Sequence, residues 1–201
     1  MSTLKNKDNR VEDPKRARVL EGAMQVFLAY GFSRATMDDI ARAVDISRPA
    51  LYLLFRNKAD IFRAVGQDLL ARSRVNACQA LREDGTLEQR LMEALDRALF
   101  QLFRMVEGSP HGDELVDLNN HVAADMVAEW RQGMVDCFAR AIREEALRRG
   151  ATLEERGLSA QALAEMLFNI LEGLKASGRC GSAAEDNARQ FVSLIELALE
   201  K

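Results

Sequence analysis

Between Ala35 and Phe62 the chain reads ATMDDIARAVDISRPALYLLFRNKADIF. Caps, apolar spacing and one proline leave this stretch little choice of structure. Thr36 is a helix cap, and Asp39 stands at the third position to return the hydrogen bond, an acidic form of the capping box. Met37, Ile40, Ala41 and Val44 recur at helical spacing and give a short helix one apolar face. Asp45-Ile46 makes the turn. Ser47 is a preferred N-cap, and Arg48-Pro49 open a second helix. Proline is tolerated there because the first-turn amides lack intrahelical partners. In that helix Leu51 and Phe55 share one face, while Arg48, Pro49, Tyr52 and Leu53 share the other. Asn57 caps a further helix, with Lys58 and Asp60 in its first turn.

Upstream, Asp13-Pro14 is a helix start, and Gly31 is a stop after Phe27, Leu28 and Tyr30. The spacing therefore predicts helices at about 14–30, 37–44 and 48–55. Three helices with an outward-facing third follow the helix-turn-helix plan, in which the recognition helix enters the DNA major groove N-terminus first.

Residues 16–62 resemble the DNA-binding domain of the tetracycline-repressor (TetR) family of bacterial transcription regulators. The resemblance rests on Ala23, Phe27, Gly31-Phe32, Thr36, Ile40-Ala41, Ile46-Ser47, Leu51-Tyr52, Phe55 and Lys58, and covers about a quarter of the chain. Three positions depart from the family's pattern. Asp45 replaces the turn glycine, Ala50 a small hydroxyl residue, and Leu53-Leu54 an aromatic or histidine pair. The resemblance implies an all-α protein. A tail over 1–13 precedes a helix-turn-helix domain over 14–60 and a helical effector-binding and dimerisation domain over 61–201. It also implies a homodimer on a palindromic operator, repressing transcription until a small apolar or amphipathic effector releases it. An activator with the same fold would read identically, and a metal-responsive regulator using the His111/His121 region is the other alternative.

DNA contacts are expected from Thr36, Ser47, Arg48, Pro49, Ala50, Tyr52, Leu53 and Lys58. Arg48 is the base reader, suited to the O6 and N7 edge of guanine. Ala50 and Leu53 suit thymine methyl groups. Thr36, Tyr52 and Lys58 suit phosphates.

The net charge of −3 is low for a DNA binder, but its distribution is uneven. Residues 1–60 hold 11 Lys/Arg against 8 Asp/Glu, and residues 61–201 hold 17 against 23. A mildly basic head on an acidic body fits one face meeting phosphates. Lys5, Lys7 and Arg10 in the tail offer further cations. With no signal peptide and no run of eighteen apolar residues, a cytoplasmic location and no membrane partner are expected. Cys78, Cys137 and Cys180 are widely spaced and odd in number, which favours reduced thiols over a disulfide framework. No nucleophile motif or glycine-rich phosphate loop argues for an enzyme, and no cofactor is implied.

Past Lys58 the pattern stays helical, at about 58–82, 87–107, from 113 to a longer helix ending near Gly150, 159–177 and 183–199. Ile61, Val65, Leu69 and Val75 are read as inward. The effector pocket is expected among Met92, Leu95, Phe103, Met126, Trp130, Met134, Phe138, Met166 and Phe168, since methionines suit an adaptable apolar site. A four-helix dimer interface, implied by the resemblance, would use Leu163, Leu167, Ile170, Leu171 and Leu174 with Phe191, Leu194, Ile195 and Ala198. His111 and His121 lie among acids, with Asp117 and Glu114 nearby. Asp117 and His121 are the weak candidates for a metal or polar-ligand site, against a solvated helix face and a loop histidine.

Overall fold

Asp13 caps the first helix by accepting a hydrogen bond from the Lys15 amide at 3.0 Å. The computed structural model describes residues 13–112, 114–115, 124–176 and 182–200. Helix α1 spans Pro14–Arg34, α2 Met37–Ala43, α3 Arg48–Leu54 and α4 Lys58–Ala80. Then come α5 at Leu87–Leu95, a π-helical turn at Asp96–Phe100 and α6 at Gln101–Glu107. Helix α7 runs Ala124–Arg149, α8 Ala160–Ala176 and α9 Ser182–Ala198. No strand occurs among the described residues, so the all-α expectation holds.

Local chemistry sets the boundaries. Thr36 and Asp39 form the reciprocal capping box. Ser47 accepts from the Ala50 amide, and Asn57 from the Asp60 amide. Asp45 adopts the left-handed conformation at φ 52°, so the residue standing for glycine takes glycine's geometry. Gly31 breaks α1 at φ 75°, and one more turn closes through the bond from the Ala35 amide to the Gly31 carbonyl. A side chain at Gly31 would also strike Glu114 and the His111 ring. Glycine is required there twice over, by backbone conformation and by close approach.

Buried apolar side chains fall into two clusters. One joins α1, α2, α3 and the first part of α4, centred on Phe27, Ile40, Leu51 and Ile61. The rings of Phe27, Phe32 and Phe62 meet at centroid distances of 5.3–5.7 Å. The other cluster joins the end of α4 to α5–α9, centred on Leu91, Leu95, Met134, Phe138, Leu167 and Ile195. Helix α4 contributes to both. Of its residues read as inward, Ile61 and Val65 are buried and Leu69 is half-buried. Val75 is 63% exposed and corrects the expectation, because the inward row has passed to Ala77 and Ala80 by that point on the helix.

Helices α4 and α7 run in the same direction along a shared seam. Arg63 pairs with Asp125 at 2.6 Å, the Trp130 indole N–H donates to Ser73 Oγ at 2.8 Å, and Cys78 is bonded to Cys137. That disulfide corrects the expectation of reduced thiols. Spacing along the chain did not reveal it, because the two cysteines are 59 residues apart and meet only through the packing of two helices, with Cα atoms 6.1 Å apart. Cys180 lies outside the described residues.

Candidate nucleic-acid interface

Helix α3 is held by its inner face and presents its outer one. Leu51 is buried completely, and Phe55 closes the helix with Arg16 4.4 Å above its ring. On the outside stand Ser47, Arg48, Pro49, Tyr52 and Leu53, with Leu53 87% exposed. Ala50 is half-buried at the edge of this face. The Arg48 guanidinium lies 5.7 Å from the Tyr52 ring centroid and 3.3 Å from an Asp38 carboxylate oxygen. Both Arg48 and Asp38 are well exposed. Such an exposed pair is weak and easily exchanged for a stronger acceptor. The Tyr52 hydroxyl and the Asp38 charge hold the guanidinium above its ordinary pKa, so it is cationic at any physiological pH.

Thr36 is exposed, and its hydroxyl is engaged in the capping box with Asp39. That hydroxyl lowers the Asp39 pKa, with Arg42 adding to the effect. Lys58 is placed differently from the expectation. Its ammonium donates to the carbonyls of Phe32 at 2.5 Å, Ser33 at 3.2 Å and Ala35 at 2.7 Å, and sits 4.5 Å from the Phe32 ring. An ammonium has three protons, and all three are taken by the end of α1. Lys58 is thus a clamp between α1 and α4, and its free phosphate-holding role is corrected accordingly.

A second tie to the head comes from the segment after α6. Ser109 Oγ donates to the Leu28 carbonyl at 2.7 Å, and the Glu114 carboxylate accepts from the Ser33 amide at 2.7 Å and the Ser33 hydroxyl at 2.5 Å. Leu115 is buried in the head's apolar cluster. The Ser33 hydrogen bonds, with His111 and Lys58 nearby, lower the Glu114 pKa. Sequence spacing does not disclose this latch, because Ser33 and Glu114 are 81 residues apart. Of the metal candidates, Asp117 and His121 lie outside the described residues, and no cluster of three metal-ligating side chains occurs among the described ones.

The expected pocket residues separate into three groups. Leu95, Met134, Phe138 and Phe168 are buried core, with Met92 and Phe103 packed against them. Met166 is exposed on the outside of α8. Met126 and Trp130 line a cavity of about 160 Å³ between α4 and α7, with Gln67, Leu70, Ala71, Arg74 and Glu129. The expected dimer residues divide as well. Leu163, Leu167, Leu171 and Ile195 are buried within this one chain, so they are corrected to core. Ile170, Leu174, Phe191 and Ala198 are half-buried, and Leu194 is 57% exposed, next to Leu197 at 55%.

A three-helix head with a capped, outward-facing third helix defines a helix-turn-helix protein. Residues 19–65 match the family described as "Bacterial regulatory proteins, tetR family". The chain is 32% identical over 116 residues to the HTH-type transcriptional activator FasR of Mycolicibacterium smegmatis, a match covering 58% of this chain and 51% of FasR. The match thus spans about half of that relative's length. The HTH-type transcriptional regulator TtgR of Pseudomonas putida is 26% identical over 167 residues, covering 79% of this chain and 77% of TtgR. The fold also resembles SmeT, the repressor of the Stenotrophomonas maltophilia multidrug efflux pump SmeDEF, solved as a triclosan complex. That match has TM-score 0.61 and 18% identity, over 92% of this chain and 91% of SmeT. Residues 19–65 thus carry the TetR-family DNA-binding domain, and the relatives matched are by name transcriptional regulators.

Proposed function

We propose that this chain is a ligand-responsive DNA-binding regulator that acts as a homodimer on a palindromic operator, and that it represses. The observation that carries the reading is α3, fixed by Leu51 and Phe55 and offering Arg48, Pro49, Tyr52 and Leu53 outward. In this reading Arg48 leaves Asp38 to donate two hydrogen bonds to a guanine, while Ala50 and Leu53 meet thymine methyl groups. Thr36, Ser47 and Tyr52 approach phosphates. Residues 14–60 form the reading head and 61–201 the effector and dimerisation body, and the protein is cytoplasmic.

The dimer would form through α8 and α9 and their copies. The outer row of Met166, Ile170 and Leu174, with Leu194 and Leu197, supplies the apolar surface. It would set two α3 helices about 34–36 Å apart, one helical turn of DNA. SmeT, of like fold, binds triclosan, which supports a small-molecule effector here. Drug-sized ligands need roughly 300 Å³ or more. The α4–α7 cavity is smaller, so an effector would enter by widening that seam and moving α4, which carries the Lys58 clamp to the head. An effector acts only by binding one of the two arrangements better than the other.

Selection of bound duplexes from a randomised pool tests this. A palindromic consensus is expected, and Arg48→Ala should relax one base pair per half-site, at a cost of roughly 1–3 kcal/mol in discrimination. An unchanged consensus with Arg48→Ala would remove the base-reading role, and no enrichment at all would remove the DNA-binding reading. FasR is by name an activator, which favours activation as the second reading. A reporter carrying the selected site, with and without the protein, separates the two.

A further inference from the structure

We propose that Cys78 and Cys137 form a reversible oxidation site that locks the α4–α7 seam. The disulfide joins the two helices that also meet through Ser73 and Trp130, and it closes the seam beyond the cavity lined by Met126 and Trp130. Cys78 lies in an open groove of about 410 Å³ with Arg74, Val75, Gln79 and Arg82. Arg74 and Arg82 line the same groove, so its wall carries two cationic side chains, and the thiolate is the form of a cysteine that reacts. In the proposed sequence Cys78, which lines this groove, meets the oxidant, and Cys137 resolves it.

The chemistry needs a hydroperoxide. The Cys78 thiolate attacks the terminal oxygen, the O–O bond breaks, and the alkoxide leaves and takes up a proton as the alcohol. Cys78 is then a sulfenic acid. The Cys137 thiolate attacks that sulfur, the S–S bond forms, and hydroxide departs and is protonated to water. Two thiols give up two electrons and two protons, and the peroxide is reduced to alcohol and water. A dithiol reductant reverses the change by exchange through a mixed disulfide.

The site matters because of where α4 leads. About 30 Å of helix separates residue 78 from residue 58, and at residue 58 the lysine clamps α1. Resting on the reading that α4 moves to control the DNA-binding head, the oxidised protein holds α4 against α7 and the reduced protein lets the seam open.

Three measurements on the full chain test this. Thiol counting by mass spectrometry after hydrogen peroxide, then dithiothreitol, should show the Cys78–Cys137 bond forming and breaking in folded protein. Amide hydrogen exchange should be at least about five-fold slower in residues 65–80 of the oxidised form. Affinity for a duplex selected from the randomised pool should differ at least about five-fold between the two forms. Cys78→Ser and Cys137→Ser should behave as the reduced protein under both conditions. A bond that dithiothreitol reduces only after denaturation, or exchange in α4 that ignores the redox state, overturns the proposal. Equal DNA affinity with changed exchange overturns its link to the head. Absence of any selected duplex overturns the DNA-binding reading, while the thiol and exchange results still decide the oxidation site.

Discussion

The head and the body of this chain are both helical, but they are specified in different ways. In the head, polar side chains act on neighbouring backbone: Thr36 with Asp39, Ser47 with Ala50, Asn57 with Asp60. In the body, ties between helices add to the local ones: Arg131 reaches Glu172 and Asn169, and Glu145, besides its helix neighbours Arg148 and Arg149, holds Arg90 from α5. A locally specified region announces itself in the sequence. A region specified by long-range contacts shows its helices, but not which face of each is inside.

The largest test of this difference compares one core residue from each cluster. Phe138 and Leu51 are both fully buried. Phe138→Ala should cost about 3–5 kcal/mol and Leu51→Ala about 2–5 kcal/mol, each through lost burial and a residual cavity. Hydrogen exchange should localise the first loss to the body and the second to the head. Equal loosening of both regions by either variant would show that the two clusters behave as one core.

Glu145 offers the next largest effect. It is the one buried charged side chain among the described residues. Burial raises its pKa, but hydrogen bonds from Arg148 and Arg149 outweigh that and the net shift is downward. A lowered carboxylate pKa contributes stability that is complete above the unfolded value, near 4.5, and that is lost as pH falls through the folded value. Glu145→Gln should cost about 3 kcal/mol at pH 7, because it leaves Arg90 half-buried with its carboxylate partner gone. The difference between variant and wild type in urea melts should shrink below pH 4.5. A constant difference down to pH 3 would assign the effect to packing instead of charge.

How far the fold was legible follows from the same contrast. Each cap and the Asp45 turn were readable because their partners lie within four residues. In α8, Leu163, Leu167, Ile170, Leu171 and Leu174 read as one stripe. The fold splits it into an inner row of Leu163, Leu167 and Leu171, buried in the chain, and an outer row of Ile170 and Leu174 beside exposed Met166. Periodicity reports an apolar arc on a helix, but a wide arc serves two neighbours and sequence does not divide it. The disulfide and the Ser33–Glu114 latch were hidden for the same reason. Their partners are 59 and 81 residues apart, and only packing brings them together.

Lys58 is where the comparison is sharpest, because it was legible by identity and not by role. A lysine at the start of a helix, in a DNA-binding head, suggests a phosphate contact. Such a contact, once removed, weakens all sites alike and flattens the salt dependence of binding by about one ion. The geometry instead spends the ammonium on three carbonyls at the end of α1, where a cation is favoured by the helix dipole. Lys58→Met keeps the stem over Phe32 and removes the charge. It should cost about 1–2 kcal/mol of stability and weaken DNA binding only by loosening α1 against α4. The slope of log K against log salt should stay at the wild-type value. If the slope falls by about one while the melting temperature holds, the lysine leaves its carbonyls on binding and meets a phosphate after all.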